Sequence, residues 1–361
     1  MKLLIDIRSL GSTPSGIGIY AYNFIKALSK YDDLQIDLIS DVAESKQIQE
    51  LQILDYVTMH LYGKIVCKTF AVIGYFRYIQ KIIHKVQPDI FWEVNNLIPV
   101  KLDNPYGRKI VTIHDMFPLY MKECYSRIYP MYFKHGICNT LKQVDGVIYN
   151  SQETKKETEK FFPKSKDINN FILPIIVEDK SDFEIADQDY FFYIGNLERR
   201  KGTDVLLKAY REYRKSGGTK RLLLAGKFRE KDLEELYHQL KGEIKGLEHL
   251  GYVDDCMKDK LLAECSCFVF PSRAEGFGIP VIEALIKNKP ILITDLPIFR
   301  ETVGDLDGMV QLDGEVVEHL KQAMLQEDSW SRCDYDISKK YTSEKLGQDL
   351  YSYFLNGRGY A

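Results

Sequence analysis

Short apolar runs recur along this chain, each closed by a glycine, a proline or a charge, with stretches of helical periodicity between them. In the first half Leu3–Ile7, Gln35–Ile39, Asp89–Trp92, Lys109–Ile113 and Gly146–Asn150 read as strands. In the second half the pattern restarts at Tyr190–Ile194 and continues with Arg221–Ala225, Leu247–Leu250, Cys267–Phe270 and Pro290–Thr294. Between them Ile19–Leu28, Ser151–Phe162, Thr203–Tyr210, the segment around Met257–Glu264 and the residues from Pro280 onward read as helices. Further helices are expected around Trp330 and over Ser343–Leu355. Asp167–Ile176, with Pro174, reads as a passage between domains. Strand and helix alternate, restart at Tyr190, and span 361 residues, which predicts an α/β chain of two domains whose first half opens in Rossmann-like fashion.

Composition narrows the picture. Hydrophobic residues make up 45% and charged residues 28%, enough for two cores with a soluble surface. The net charge of −3 argues against a nucleic-acid footprint. Charge is uneven: residues 1–170 carry 22 Lys+Arg against 18 Asp+Glu, leaving 27 against 34 for the rest. Seven cysteines without a C-x-x-C spacing suit packing in a reducing, cytoplasmic setting. The chain runs straight into LLIDIRSL and holds no apolar run of about 20 residues, so neither a signal peptide nor a spanning helix is expected.

The candidate chemistry centres on Cys267–Lys289, CFVFPSRAEGFGIPVIEALIKNK. A buried strand, a Gly276-Phe277-Gly278 loop and a helix start at Pro280 would present backbone N–H groups to an anion. Glu275 and Glu283 flank the glycines, one in the loop and one in the first helical turn. Carboxylates beside a phosphate site make sense if they accept hydrogen bonds from hydroxyls, as on a sugar or ribose. A second element, GNLERRKG, sets Arg199, Arg200 and Lys201 between a strand end and a helix start, where cations suit a diphosphate. At the N-terminus the loop from Arg8 to Gly18, with Gly11, Gly16 and Gly18, separates the first strand from its helix. It lacks the G-x-G-x-x-G spacing of a dinucleotide site. His114-Asp115 ends a parallel strand, where such sheets bind ligands.

Taken together, P-S-x-x-E-G-F-G with P-x-x-E-A resembles the signature of family 4 glycosyltransferases of the GT-B fold. The resemblance covers nearly the whole chain. It implies two Rossmann-like domains facing a central cleft, residues 1–172 with 341–361 and residues 173–340, the last helix crossing back to the first domain. It implies a retaining transferase that moves a hexosyl group from a nucleoside-diphosphate sugar to a glycan or lipid-linked saccharide, without a metal or other cofactor. Glu275 would hold the transferred sugar and Glu283 the ribose. Arg200, Lys201 and the amides of Gly276, Phe277 and Gly278 would hold the diphosphate, and Tyr252 and Val253 the base. Gly16 and Gly18 would approach the donor, and His114, with Asp115 beside it at the catalytic centre, would contact the donor sugar or orient the acceptor. Many relatives carry an Arg directly after the first glycine; here it is Asn196, and Glu198-Arg199-Arg200-Lys201 resembles the E-P-R-K of a subgroup. The H-D and R-K segments resemble mannosyltransferases of surface-glycan assembly, making GDP-mannose the first donor expected, with a UDP- or dTDP-hexose next. A nucleotide-sugar 2-epimerase of the same fold, or an inactive homologue, stays open as an alternative. Asp305-Leu306-Asp307 has the form of a metal-binding D-x-D, but its late, glycine-rich setting speaks against that role.

Two segments suggest a further partner. Residues 56–88 hold no Asp or Glu between Tyr56 and Pro88, and carry Lys64, Lys68, Arg77, Lys81 and Lys85 among Phe70, Tyr75, Phe76, Tyr78, Ile82 and Ile83. Residues 120–142 interleave Lys122, Arg127, Lys134, His135 and Lys142 with Tyr125, Tyr129, Tyr132 and Phe133. Residues 56–88 read either as a surface for anionic lipid on the inner face of the cell membrane or as a solvated helix face over the core, and residues 120–142 either as a segment that helps hold a lipid-linked or glycan acceptor, with anionic membrane beside it, or as one exposed helix.

Overall fold

The computed structural model describes residues 1–12, 15–66, 69–178, 183, 187–306, 309–327, 330 and 337–357, excluding the side chains of 69–71 and 338. The chain divides into two compact units, Met1–Ile176 with Tyr341–Ala361, and Val177–Lys340.

The first unit runs β1 (Lys2–Asp6), α1 (Gly16–Leu28), β2 (Gln35–Ser40), α2 (Lys46–Gln52), β3 (Val57–Leu61), α3 (Thr69–Val86), β4 (Ile90–Glu93), β5 (Arg108–Ile113), α4 (Phe117–Tyr120), α5 (Tyr129–Leu141), β6 (Gly146–Tyr149), α6 (Gln152–Phe161) and β7 (Asn169–Ile172). Its sheet has the order β3-β2-β1-β4-β5-β6-β7 with every pairing parallel. The second unit runs β8 (Tyr190–Ile194), α7 (Thr203–Lys215), β9 (Arg221–Ala225), α8 (Lys231–Glu243), β10 (Leu247–Gly251), α9 (Asp255–Glu264), β11 (Cys267–Phe270), α10 (Ile279–Ile286), β12 (Ile291–Ile293), α11 (Pro297–Val303) and α12 (Val316–Leu325). Its parallel sheet is ordered β10-β9-β8-β11-β12. The central strands are buried on both faces, which is why they read as unbroken apolar runs.

In each sheet the strand order reverses once. The connections step outward from β1 to β2 and β3, then cross back to β4 on the other side; in the second unit they step from β8 to β9 and β10, then return to β11. Such reversals leave a crevice at the carboxyl ends of the two strands, here β1/β4 and β8/β11, where open α/β sheets take their ligands.

Several elements differ from the sequence expectation. The first helix begins at Gly16, not Ile19, because the Ser15 hydroxyl caps it by accepting the Gly18 N–H at 3.2 Å. Gly16 and Gly18 therefore belong to its first turn. A Cβ on Gly18 would meet the Ser9 carbonyl oxygen at 2.5 Å, so glycine is needed there for packing. Residues 56–88 split into the edge strand β3 and helix α3, whose Tyr75, Phe76, Ile82 and Ile83 are buried in the core. That apolar face is thus unavailable to lipid; Lys68 lies outside the described residues. The 120–142 stretch breaks into a turn and α5. Asn169–Ile172, read as passage, is the edge strand β7; an edge strand of Asn-Asn-Phe-Ile carries too little apolar pattern to be recognised. Helix α8 has no counterpart in the sequence reading, and Trp330 stands outside any helix, its indole N–H on the Ala323 carbonyl at 2.8 Å. Helix α10 starts at Ile279, so Pro280 is its second residue and Glu283 opens its second turn.

The last helix, α13 (Ser343–Asn356), packs on α1 in the first unit. Gly347 makes the approach possible: a Cβ there would lie 2.7 Å from the Ala27 Cβ. Tyr351 stacks on Tyr31 at 3.9 Å, Tyr353 on Phe171 at 4.8 Å, and Phe354 meets Trp92 edge-on at 5.6 Å. Replacing Gly347 by Val is expected to cost about 1–3 kcal/mol through overpacking, read as a lower denaturant midpoint. An unchanged midpoint would show that the two helices are not so closely seated.

Candidate active site

The crevice of the second unit is walled by the turn after β8 and the loop after β11. The chain leaves β8 through Gly195, turns through Arg199–Lys201 and enters α7 past Gly202 at φ 72°. A Cβ on Gly202 would lie 1.8 Å from the Pro271 carbonyl oxygen, so only glycine lets the turn reach the other loop. The two segments are then laced together. The Arg273 N–H donates to the Arg200 carbonyl at 2.8 Å and the Arg200 guanidinium to the Ala274 carbonyl at 3.0 Å. Arg273 adds a bidentate pair to Asp204 in the first turn of α7, at 2.6 and 2.9 Å.

At the centre of this lattice Lys201 Nζ holds both oxygens of Glu275, at 2.6 and 2.7 Å. The Ser272 hydroxyl donates to Glu275 Oε1 at 2.6 Å. The two charged side chains are 15% and 6% exposed. Burial pulls the Lys201 ammonium below its ordinary range even with Glu275 against it. Arg200 pairs with Glu198 at 2.6 Å, while Arg199 turns outward to Glu230 and Asp232. Of the three cations, then, Arg200 and Lys201 line the crevice and Arg199 does not.

Beyond Glu275, Gly276 is half-buried and Phe277 is buried. Gly278 adopts φ 87° at the start of α10, and a Cβ there would strike the Phe299 ring at 2.5 Å. Glycine is required on both counts. Glu283 reaches Lys258 of α9 at 2.7 Å. Tyr252 and Val253 follow β10 at the sheet edge, two strands from β8; Tyr252 is 76% exposed and its ring centroid lies 6.0 Å from Lys227 Nζ.

In the first unit His114 follows β5 and is buried. Its Nε2 meets the Val94 carbonyl at 2.8 Å, and since a carbonyl only accepts, Nε2 carries the proton. Tyr20 packs edge-on against the ring at 4.8 Å, and burial pushes the imidazole down to about 4. The ring is therefore neutral near pH 7. Asp115 accepts the Phe117 N–H at 3.3 Å, the turn-forming role open to an Asp there.

Sequence reading missed the cluster at the β1/β4 reversal. Asp6 and Glu93 are both fully buried and share Arg8, with Glu93 at 3.2 Å and Asp6 closer. The Tyr75 hydroxyl donates to Asp6 at 2.7 Å, and Asn95 donates twice to Glu93 at 2.8 and 2.9 Å. The Arg8 guanidinium lies over the Tyr75 and Phe76 rings. Burial raises the Glu93 carboxyl, and Arg8 opposes that shift. The available signal was three charged residues hard against apolar runs, Asp6, Arg8 and Glu93. In the second unit Lys258, Arg273 and Asp204 were missed for a different reason, since their partners lie far away in sequence. Asp305 of the D-x-D pairs with Arg300, and Asp307 lies outside the described residues.

Two family models match the chain. Residues 177–336 match "Glycosyl transferases group 1", and residues 14–169 match "Glycosyltransferase Family 4". The O-antigen chain mannosyltransferase B of Escherichia coli is 23% identical over 91% of this chain and 92% of its own length. The O-antigen chain mannosyltransferase RfbU of Salmonella typhimurium is 21% identical over 96% and 99%. Among solved structures, Anabaena Alr3699/HepE in complex with UDP and glucose superposes with a TM-score of 0.73, 14% identity, and 98% and 99% coverage. The shared architecture is the GT-B fold.

Replacing Arg8 by Met leaves two buried carboxylates without a cation and is expected to cost about 3–5 kcal/mol at neutral pH. A carboxyl whose folded-state value is raised binds its proton more tightly folded than unfolded, so the variant's stability falls as pH rises above the ordinary glutamate range. Urea melts at pH 5 and pH 7.5 read this: a deficit larger at pH 7.5 is expected, and an equal deficit would mean that Arg8 acts by packing alone.

Proposed function

The chain belongs to the family 4 glycosyltransferases, and from that premise we propose a retaining, metal-independent mannosyltransferase that takes GDP-mannose to a lipid-linked glycan. Hexosyl transfer from a nucleotide sugar to a glycan acceptor follows from the family and its relatives, which lend no support to the 2-epimerase alternative. The observation that carries the site reading is the lacing of the 198–202 turn to the 271–278 loop, which gathers cations, amides, a helix start and a carboxylate in one crevice.

The chemical task is to stabilise a nucleoside diphosphate as it leaves. Negative charge grows on it in the transition state, so donors already aimed at it lower the barrier. Arg200 and Lys201 supply positive charge, and the Gly276–Gly278 backbone with the N-terminus of α10 supplies N–H dipoles. Glu275 accepts hydrogen bonds from hydroxyls of the transferred sugar, with Lys201 held against both of its oxygens. Glu283 accepts those of the ribose, with the base toward Tyr252 and Val253. The neutral His114 acts on the donor sugar as a hydrogen-bonding group rather than as a charge, beside Asp115; Gly16 and Gly18 let the α1 start come close. The mannosyl donor is supported by the names of the relatives.

The acceptor reading rests on residues 119–134. Among the described residues no helix is long and apolar enough to cross a membrane. A cavity of about 780 Å³ is lined by Lys122, Arg127, Lys134, Tyr125, Met131 and Phe161, among others. Ile128 is 78% exposed and Met131 75%. Cations beside exposed apolar side chains suit the anionic, cytoplasmic leaflet that would hold a lipid-linked acceptor.

Replacing Glu275 by Ala is expected to lower transfer about 100-fold or more while circular dichroism keeps the folded signature; normal turnover would remove its role. A thermal-shift screen of GDP, UDP, ADP and dTDP with and without EDTA reads the donor. At a hundredfold excess over Kd a ligand adds about 2.7 kcal/mol, so stabilisation by GDP irrespective of EDTA is expected, whereas another nucleotide or an EDTA-sensitive shift would correct the donor or the metal-independence. Co-sedimentation with vesicles containing phosphatidylglycerol should be lost at high salt and in Ile128→Glu/Met131→Glu; equal binding to neutral vesicles would refute the charge argument.

A further inference from the structure

The two acids of the E-x7-E pair are held in different ways. Glu275 gives both oxygens to Lys201. Glu283 gives only Oε1, to Lys258 Nζ at 2.7 Å, and its Oε2 makes no hydrogen bond among the described residues. Both side chains of this second pair are 19% exposed, so the pair lies at the edge of the buried region rather than inside it. Its two ends are braced. Glu283 stands on α10 between Ile282 and Ala284, both fully buried, which fixes the backbone beneath it. Lys258 stands on α9, whose first turn is capped by Asp254 accepting the Met257 N–H at 2.8 Å, and Asp255 lies 3.5 Å from the ammonium. Burial raises the Glu283 carboxyl, and the Lys258 charge is what opposes that rise.

A glutamate pinned by one oxygen has lost most of its rotamer freedom before any ligand arrives. Its second oxygen then points one way and can accept hydroxyl donors without further ordering. A glutamate without that tether would have to be ordered by the ligand, and in this half-buried place would tend to hold a proton.

We propose that Lys258 is the positioning residue for ribose recognition: its ammonium tethers Glu283 through Oε1 so that Oε2 is presented to the vicinal hydroxyls of the donor's ribose. This rests on the reading of Glu283 as the ribose acceptor and goes beyond it, since it assigns Lys258 a role exerted through Glu283. Its consequence is selectivity between ribose and 2′-deoxyribose.

The test compares GDP with 2′-deoxy-GDP, and UDP with 2′-deoxy-UDP, by calorimetric titration of the full chain. The wild type is expected to prefer the ribonucleotide of its own base about tenfold. Glu283→Gln loses that preference if Glu283 is the acceptor. Lys258→Met loses it equally, Lys258→Arg restores it, and the double variant Lys258→Met/Glu283→Gln is no worse than either alone. In turnover, Lys258→Met raises the donor KM about tenfold and leaves kcat within about threefold. If Lys258→Met melts early, the double variant Lys258→Met/Glu283→Gln, which buries no uncompensated carboxylate, is compared with Glu283→Gln alone: equal nucleotide affinity is expected, and a further loss would mean that Lys258 acts other than through Glu283. A wild-type ribose preference in Lys258→Met, with that preference lost in Glu283→Gln, would overturn the role of Lys258 and spare Glu283. A preference retained in Glu283→Gln would overturn both.

Discussion

A buried lysine-to-carboxylate contact is the constraint on which the second unit's site depends. Lys201 and Glu275 come from segments 74 residues apart, at the ends of two adjacent parallel strands. Neither charge could be buried alone: an unpaired ion in such a place costs several kcal/mol, so the two loops hold their arrangement only together. Everything around the pair follows from this. Ser272 completes the hydrogen bonding of the carboxylate, Arg200 closes on the Ala274 carbonyl, and Arg273 ties the loop to the first turn of α7.

The glycines make the lattice geometrically possible. Gly202 and Gly278 both stand in left-handed conformations, and each faces an atom that a Cβ would strike. At both positions only bare backbone fits the space that is left. The same economy is seen where Gly226 approaches the Gly195 carbonyl, 1.8 Å from where its Cβ would be.

The first unit meets the problem of buried charge differently. At its own strand reversal two carboxylates share one arginine, and hydrogen bonds from Tyr75 and Asn95 make up the deficit. Its surface divides into two kinds of basic segment. In α3 the aromatic face turns inward to the core, whereas the 119–134 segment keeps Ile128 and Met131 in solvent.

The sequence by itself determined the α/β class, the positions of the central strands and the family, because parallel strands are short unbroken apolar runs and the E-x7-E string with its glycines is locally dense. Arg221–Ala225 and Cys267–Phe270 lie where the pattern put them. Edge strands β3 and β7 and the polar helix α8 were not legible, since a half-exposed element carries little apolar signal. Only the tertiary structure decided which charges are partners. That Lys201 belongs to Glu275, Lys258 to Glu283 and Arg8 to both Asp6 and Glu93 depends on strand order and on which way each loop turns. Apart from Asp6, two residues from Arg8, those partners meet by packing over long sequence separations, to which a local pattern is not sensitive.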